Sequence, residues 1–338
     1  MAGYREAGVD LAAADAVVAA IAGDVTATWA DRVVGGFGGF AAGIRLPPGY
    51  TDPVLMMSTD GVGTKADVAR RTDRLDGLGW DLVAMCIDDL VAAGARPIAM
   101  TDYVAVGRID VETVGRLVRS IAAACAEAGV ALLGGETAEH PGVMDDGAFD
   151  LAGAAIGVVE AGKEVTGGSI HPGDAILGLA SPNLRANGFS LVRKVVLETL
   201  DPTDPLPGTS GSVADALLEP SVLYTPAVLA LLGAVEVRGM AHITGGGLQG
   251  NVRRILPVGC SALIDTGAWV PPAVFTAVQQ LGNLPATEMF RTFNMGVGFV
   301  AVVPDAVADE AVAVLEAGGR PAGIIGEIVT GSGDVILT

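Results

Sequence analysis

Short β-prone runs, each followed by polar or glycine-rich sequence and separated by segments of helical period, restrict the folds open to this chain more than any other feature. The first four are Val54–Ser58, Ile98–Val106, Val130–Leu133 and Leu151–Val159. Between them Leu78, Leu82, Val83, Cys86, Leu90 and Val91 recur at helical spacing, as do Val114, Leu117, Val118, Ile121 and Cys125, and the two segments stop at Gly94 and Gly129. Such alternation is the pattern of an α/β fold. A second series opens with Ala175–Leu179 after the turn-like HPGD and continues near Ala241, Ala262, Val297 and Ile324. TGGSIHPG, residues 166–173, has the small, turn-forming residues of a linker. Two domains are therefore expected, residues 1–168 and 169–338.

The length of 338 residues agrees with that division at about 150 residues per domain. Forty-eight glycines and few aromatics imply many tight turns around a core of Ala, Val, Leu and Ile. A net charge of −19 opposes binding to a nucleic-acid backbone. It leaves room for an anionic nucleotide if some acids hold divalent cations against the phosphates. Cys86, Cys125 and Cys260 are odd in number and lie outside any CxxC spacing, so neither a disulfide framework nor a zinc site is expected. MAGYREAGVD lacks the basic and apolar regions of a leader, and no apolar run reaches membrane-spanning length. A cytoplasmic protein is expected.

STDGVGTK, residues 58–65, follows the apolar VLMM run and places an acid, two glycines, a hydroxyl and a lysine at a strand end, where open α/β sheets bind ligands. Gly61 and Gly63 let backbone amides approach an anion, Lys65 could act as a point charge on phosphate, and Asp60 could hold a metal. The alternative is an ordinary turn with a solvated lysine. No Walker A loop is present. CIDDL sets Asp88 and Asp89 in an otherwise apolar helix, and GGETAEHPG sets Glu136 and Glu139 after the VALLGG strand. Adjacent buried carboxylates need a cation or hydrogen bonds, so Asp60, Asp89 and Glu136 could together hold more than one Mg²⁺. Equally, one aspartate could face solvent while the other caps a turn.

GGFGG at residues 35–39 could wrap a phosphate or be a plain loop. In TGGGLQGN, residues 244–251, Gly245, Gly247 and Gly250 match a dinucleotide fingerprint, with Asp265 ending a later strand. That reading leaves the acidic motifs without a role; the same turn could receive a single phosphate. SPNLRANGFSLVRK puts Arg185 and Asn187 in a loop before a helix, where Arg185 could clamp an anion but not act as a base. His140, His171 and His242 are not spaced as metal ligands and are read as structural. No GxSxG elbow supports a hydrolase.

Taken in order, AGVD, GGFGGF, DGVGTK, MCIDDL, GGETAEHPG, NGFSLVRK, HITGGG and EMFRTFNMGVG closely resemble the aminoimidazole ribonucleotide (AIR) synthetase family, the phosphoribosylformylglycinamidine cyclo-ligases of purine synthesis. The resemblance runs nearly end to end. It implies a homodimer in which N-terminal strands of two subunits form a barrel, a C-terminal α/β domain, and a cleft between domains that takes ATP with Mg²⁺. It also implies that ATP phosphorylates an amide oxygen and an internal amidine nitrogen attacks the iminophosphate, closing an imidazole ring. Carried over by motif, Asp60, Asp89 and Glu136 are metal and triphosphate residues. Gly61, Gly63, Thr64, Lys65, Gly134 and Gly135 line the nucleotide. Asn187, Thr244 and Gly245, Gly246 and Gly247 meet the substrate or its ribose phosphate, and Lys65, Asp60, Asn187 and Arg185 serve the reaction.

The chain departs from the family pattern at Asp88, where Asn is usual, across DYVAVGR at residues 102–108, at Arg185 in place of a His, and at Leu248, Gln249 and Gly250 in place of Phe-Trp-Glu. The changes fall more on the substrate motifs than on the nucleotide motifs. Two alternatives therefore stand beside the purine enzyme: a diverged paralogue activating another amide, and a non-catalytic dimer that binds nucleotide.

Overall fold

The computed structural model describes residues 11–338; the AGVD motif and the rest of the MAGYREAGVD stretch fall in residues 1–10, outside the described residues. The chain divides into two units. One runs through Leu90 and resumes over Arg96–Glu160; the other comprises Val91–Ala95 and Ala161–Thr338.

The first unit opens with α1 (Leu11–Ala27) and a short antiparallel pair, β1 (Val33–Val34) and β2 (Gly43–Ile44). β3 (Pro53–Gly61), α2 (Lys65–Arg71), α3 (Leu78–Ala92), β4 (Arg96–Val106), α4 (Val111–Ala128), β5 (Ala131–Glu139) and β6 (Phe149–Glu160) follow. The sheet runs β3-β6-β4-β5, antiparallel except for the β4–β5 pair. α4 is delimited by its own sequence: Asp110 accepts the Thr113 N–H at the start, and Gly129 takes the left-handed conformation at the end. α3 starts at Leu78, the first apolar residue of the helical pattern; before it Asp73 adopts a positive φ and, with Asp76, is bound by Arg116. One side of the sheet buries α3 and α4; on the other, Leu55, Met57 and Tyr103 are exposed.

β5 runs through Gly134, Gly135 and Glu136 to Glu139, where the sequence reading ended the strand at the glycines. Pairing with β4 overrides the weak strand propensity of the Gly pair, and a register shift beside Thr101 accommodates it.

The second unit contains β7 (Ala175–Ala180), α5 (Phe189–Val195), α6 (Val213–Leu217), α7 (Thr225–Ala234), β8 (Gly239–His242), α8 (Gly247–Val252), β9 (Cys260–Ile264) and α9 (Ala273–Leu281). α10 (Ala286–Thr292), β10 (Val297–Val303), α11 (Ala308–Ala317), β11 (Ala322–Thr330) and β12 (Val335–Leu337) complete it. Its sheet runs β12-β9-β11-β7-β10-β8, with only β12 and β9 parallel. Both faces are covered. Leu177, Leu179, Phe299 and Ala301 pack against α7 and α11, while Ile176, Val300 and Val302 pack against Leu248, Val252 and Ile264. β10 is therefore apolar at every position. No helix among the described residues is long and apolar enough to cross a membrane.

Candidate functional site

β3 carries Asp60 as its penultimate residue, exposed, with Oδ1 accepting the Gly61 N–H at 2.7 Å. Its row across the sheet is Asp60, Gly153, Asp102 and Gly135. Beneath it the Cys86 thiol of α3 donates to the Gly153 carbonyl. Burial pushes that thiol up to about 12, and the negative charges of Asp60 and Asp89 push in the same direction. The thiol lies 4.0 Å from the Asp60 carbonyl and one helical turn before Asp89, so both acids lie around Cys86. Successive helix residues turn by about 100°, so Asp88 points into the interior while Asp89 is exposed. Of the paired acids, one belongs to the core and one is open to a cation.

Lys65 departs from expectation. Rather than reaching towards solvent and phosphate, its ammonium is 1% exposed and lies 2.7 Å from Asp81 on α3. A buried lysine needs a counter-charge, and Asp81 supplies it, fastening the DGVGTK turn to the helix that carries Asp89. Gly61, Gly63 and Thr64 form that turn, Gly63 at positive φ.

A cavity of about 500 Å³ opens beside β5, lined by the apolar side of α1, the Gly36–Ala42 loop, Asp102 and the Gly134–Thr137 stretch. Gly135 is required here because a Cβ would collide with the Asp102 carboxylate. Burial raises the Asp102 carboxyl to about 7, against an ordinary 3.8. About half of it is thus uncharged at neutral pH, so it repels an anionic ligand less than the other acids would. Sequence reading missed this residue, although it opens the DYVAVGR motif. Glu136, exposed, sits one row further on, opposite Tyr103, whose hydroxyl is 3.2 Å from His140 Nε2. It is three strands from Asp60, roughly 14 Å at normal strand spacing.

The three expected metal carboxylates are therefore not brought together. Asp60 and Asp89 share one location and Glu136 occupies another, and no group of three metal-binding side chains occurs among the described residues. This donor set still suits Mg²⁺, which takes one or two carboxylates and completes its shell with phosphate oxygens and water. It does not suit an all-protein ion cage.

In the second unit, Asn187 Oδ1 accepts the Gly245 N–H at 3.2 Å, so the SPNLRANG loop meets the TGGG turn directly. Asn251 donates to the carbonyls of Thr244, Gly245 and Gly247, holding the turn from beneath. Gly246 and Gly247 take positive φ, and a Cβ on Gly247 would strike the Phe290 carbonyl. The dinucleotide reading is overturned: β8 is an antiparallel edge strand rather than part of a βαβ unit, and Asp265 merely caps a short turn through Gly267. Leu248 fills the core, Gln249 ties the turn to the Val335 carbonyl, and Gly250 is exposed.

Arg185 also departs from expectation. Placed in a loop and expected at the substrate, it is wholly buried. Its guanidinium donates to the Val222 carbonyl at 2.9 Å, lies 3.0 Å from His242 Nε2 and stacks on Tyr224. Those partners are distant in sequence, so local pattern carries no sign of them.

The two units match the two AIR synthase related protein models, the N-terminal domain over residues 38–159 and the C-terminal domain over 171–337. The phosphoribosylformylglycinamidine cyclo-ligase of Sorangium cellulosum is 48% identical over 98% of this chain and 96% of its own length. The chain belongs to that cyclo-ligase family of AIR synthase related proteins. Among solved structures, thiamine-monophosphate kinase from Stenotrophomonas maltophilia superposes with a TM-score of 0.70, at 20% identity, over 94% of this chain and 95% of its own. Hydrogenase maturation protein HypE in complex with ATP gives 0.66, at 20% identity, over 96% and 89%. These two show a shared fold.

Proposed function

We propose that this protein is an ATP-dependent cyclo-ligase that closes the imidazole ring of formylglycinamidine ribonucleotide, giving aminoimidazole ribonucleotide, ADP and phosphate. The carrying observation is the 48% identity to a cyclo-ligase along nearly the whole of both chains. The acids at DGVGTK and CIDDL give it a physical basis. An amide oxygen is a poor leaving group; ATP supplies the phosphoryl that makes it expellable as phosphate once the amidine nitrogen has attacked the amide carbon. Such a reaction asks the protein mainly for alignment and charge neutralisation.

Asp60 and Asp89 are the residues that would hold Mg²⁺ against the triphosphate, with Glu136 at a second position. Gly134 and Gly135, beside the partly protonated Asp102, would receive part of the nucleotide. Lys65 orders the turn through Asp81. Asn187 and the Gly245–Gly247 turn would engage the ribonucleotide substrate. The exposed Leu55, Met57 and Tyr103 on one sheet face support a homodimer formed through that face. Three buried free thiols, Cys86, Cys125 and Cys260, suit a reducing cytoplasm.

The test measures ADP release with and without the amidine ribonucleotide. Release that depends on this substrate supports the reading. Release only with another amide means a paralogue, and binding of ATP without stimulated release means a non-catalytic dimer.

A further inference from the structure

The buried guanidinium of Arg185 stands at the junction of the two segments to which substrate contact is assigned. Arg185 adopts a positive φ of 58°, rare for a residue with a side chain, and its own N–H donates to Asn183 Oδ1 at 2.9 Å. Asn183 in turn donates to the Pro220 carbonyl. Tyr224, under the guanidinium at 4.8 Å, donates its hydroxyl to the Ala180 carbonyl, and His242 stacks on Phe299. The loop is thus joined twice to the segment that ends β8 and forms the TGGG turn, by Arg185 to His242 at the strand end and by Asn187 to Gly245 in the turn.

The chemistry of the first junction has one solution. A guanidinium has donors and no acceptor, so Nε2 of His242 must accept. A ring nitrogen that accepts carries no proton, which places the imidazole proton on Nδ1. The planar fork serves the Val222 carbonyl and His242 together while its face covers Tyr224; a lysine has one nitrogen and cannot do all three.

We propose that Arg185 is a positioning residue: by donating to His242 it holds that ring in the Nδ1–H form and locks the Asn183–Gly188 loop to the Thr244–Gly247 turn, so that Asn187 and the turn meet the substrate as one preorganised surface. This rests on the cyclo-ligase reading for its substrate, while the tautomer it requires does not.

Two measurements test it. Nitrogen NMR of histidine-labelled wild-type protein, with His242 assigned by its loss in His242→Gln, should show a neutral ring protonated on Nδ1; protonation on Nε2 overturns the proposal. In steady-state assays Arg185→Met should raise KM for the amidine ribonucleotide about tenfold, as expected for loss of a charge-assisted buried contact, with KM for ATP unchanged. Arg185→Lys should recover only part. His242→Gln, whose amide oxygen can still accept from Arg185, should raise the substrate KM less than His242→Leu. Equal substrate KM across the wild type and all four variants overturns the proposal, as does an equal rise in both KM values. If Arg185→Met does not fold, the lysine and His242 variants decide. A wild type inactive on this ribonucleotide defeats the functional reading instead, and the tautomer still tests the inference.

Discussion

Replacing Asp102 by Asn should flatten the pH dependence of stability of the N-terminal unit. The Asp102 carboxyl is buried beside Gly135 and held at about 7, against 3.8 for an ordinary aspartate, chiefly by burial and despite a hydrogen bond from its own backbone. The folded state therefore keeps a proton that the unfolded state releases, and stability falls as pH rises from about 4 to about 7. At about 1.4 kcal/mol per unit over roughly three units, the fall attributable to this group is on the order of 4 kcal/mol. Asn has the shape of the neutral acid and does not titrate. The variant should match the wild type near pH 4 and exceed its stability by a few kcal/mol above pH 7. Cys125, whose thiol burial pushes up, contributes nothing across this range. Urea titrations between pH 4.5 and 8 measure the difference, followed by Trp29 and Trp80 in a Trp269→Phe background so that fluorescence reports on this unit. Parallel pH profiles for the two proteins would show Asp102 to be ionised throughout and refute the argument.

Three further outcomes follow from the geometry. Lys65→Met removes the counter-charge of the buried Asp81 and should cost about 3–5 kcal/mol in urea unfolding, much of which Lys65→Met/Asp81→Leu should restore; an unaltered midpoint in the single variant would remove the pair from the fold's support. Asp89→Asn, at an exposed position, should leave the urea midpoint unchanged while raising the Mg²⁺ concentration needed for half-maximal turnover by about tenfold; an unchanged Mg²⁺ dependence would take Asp89 out of the metal assignment. Met57→Asp places a charge on the exposed apolar sheet face, and sedimentation should show a dimer becoming a monomer; a wild type already monomeric would contradict that interface.

How much of this was legible in the sequence depended on how local its cause was. β3, β4, β6 and β7 lie where the β-prone runs placed them, and α4 announces both ends through Asp110 and Gly129. The continuation of β5 past the glycines to Glu139 is hidden, because a Gly pair reads as a strand end and only pairing with β4 carries the strand on. CIDDL reads either as adjacent acids that need a cation or as one acid facing solvent and one capping a turn; helical rotation gives Asp88 to the core and Asp89 to the surface. Lys65 and Arg185 were both expected at ligands because each sits in a glycine- or asparagine-bearing loop. Their actual partners, Asp81 for one and Val222, Tyr224 and His242 for the other, are brought near by tertiary folding alone. Asp102 was missed for the same reason: its burial comes from α4 and β5, not from its neighbours in sequence.

The central claim, that a phosphoryl group makes an amide oxygen expellable, is tested most directly by following that oxygen. Formylglycinamidine ribonucleotide bearing heavy oxygen at its formyl amide is incubated with the protein, ATP and Mg²⁺, and the inorganic phosphate is analysed by mass. The account predicts that the label appears in phosphate in step with ADP and imidazole product. Unlabelled phosphate, or label released as water, would contradict it.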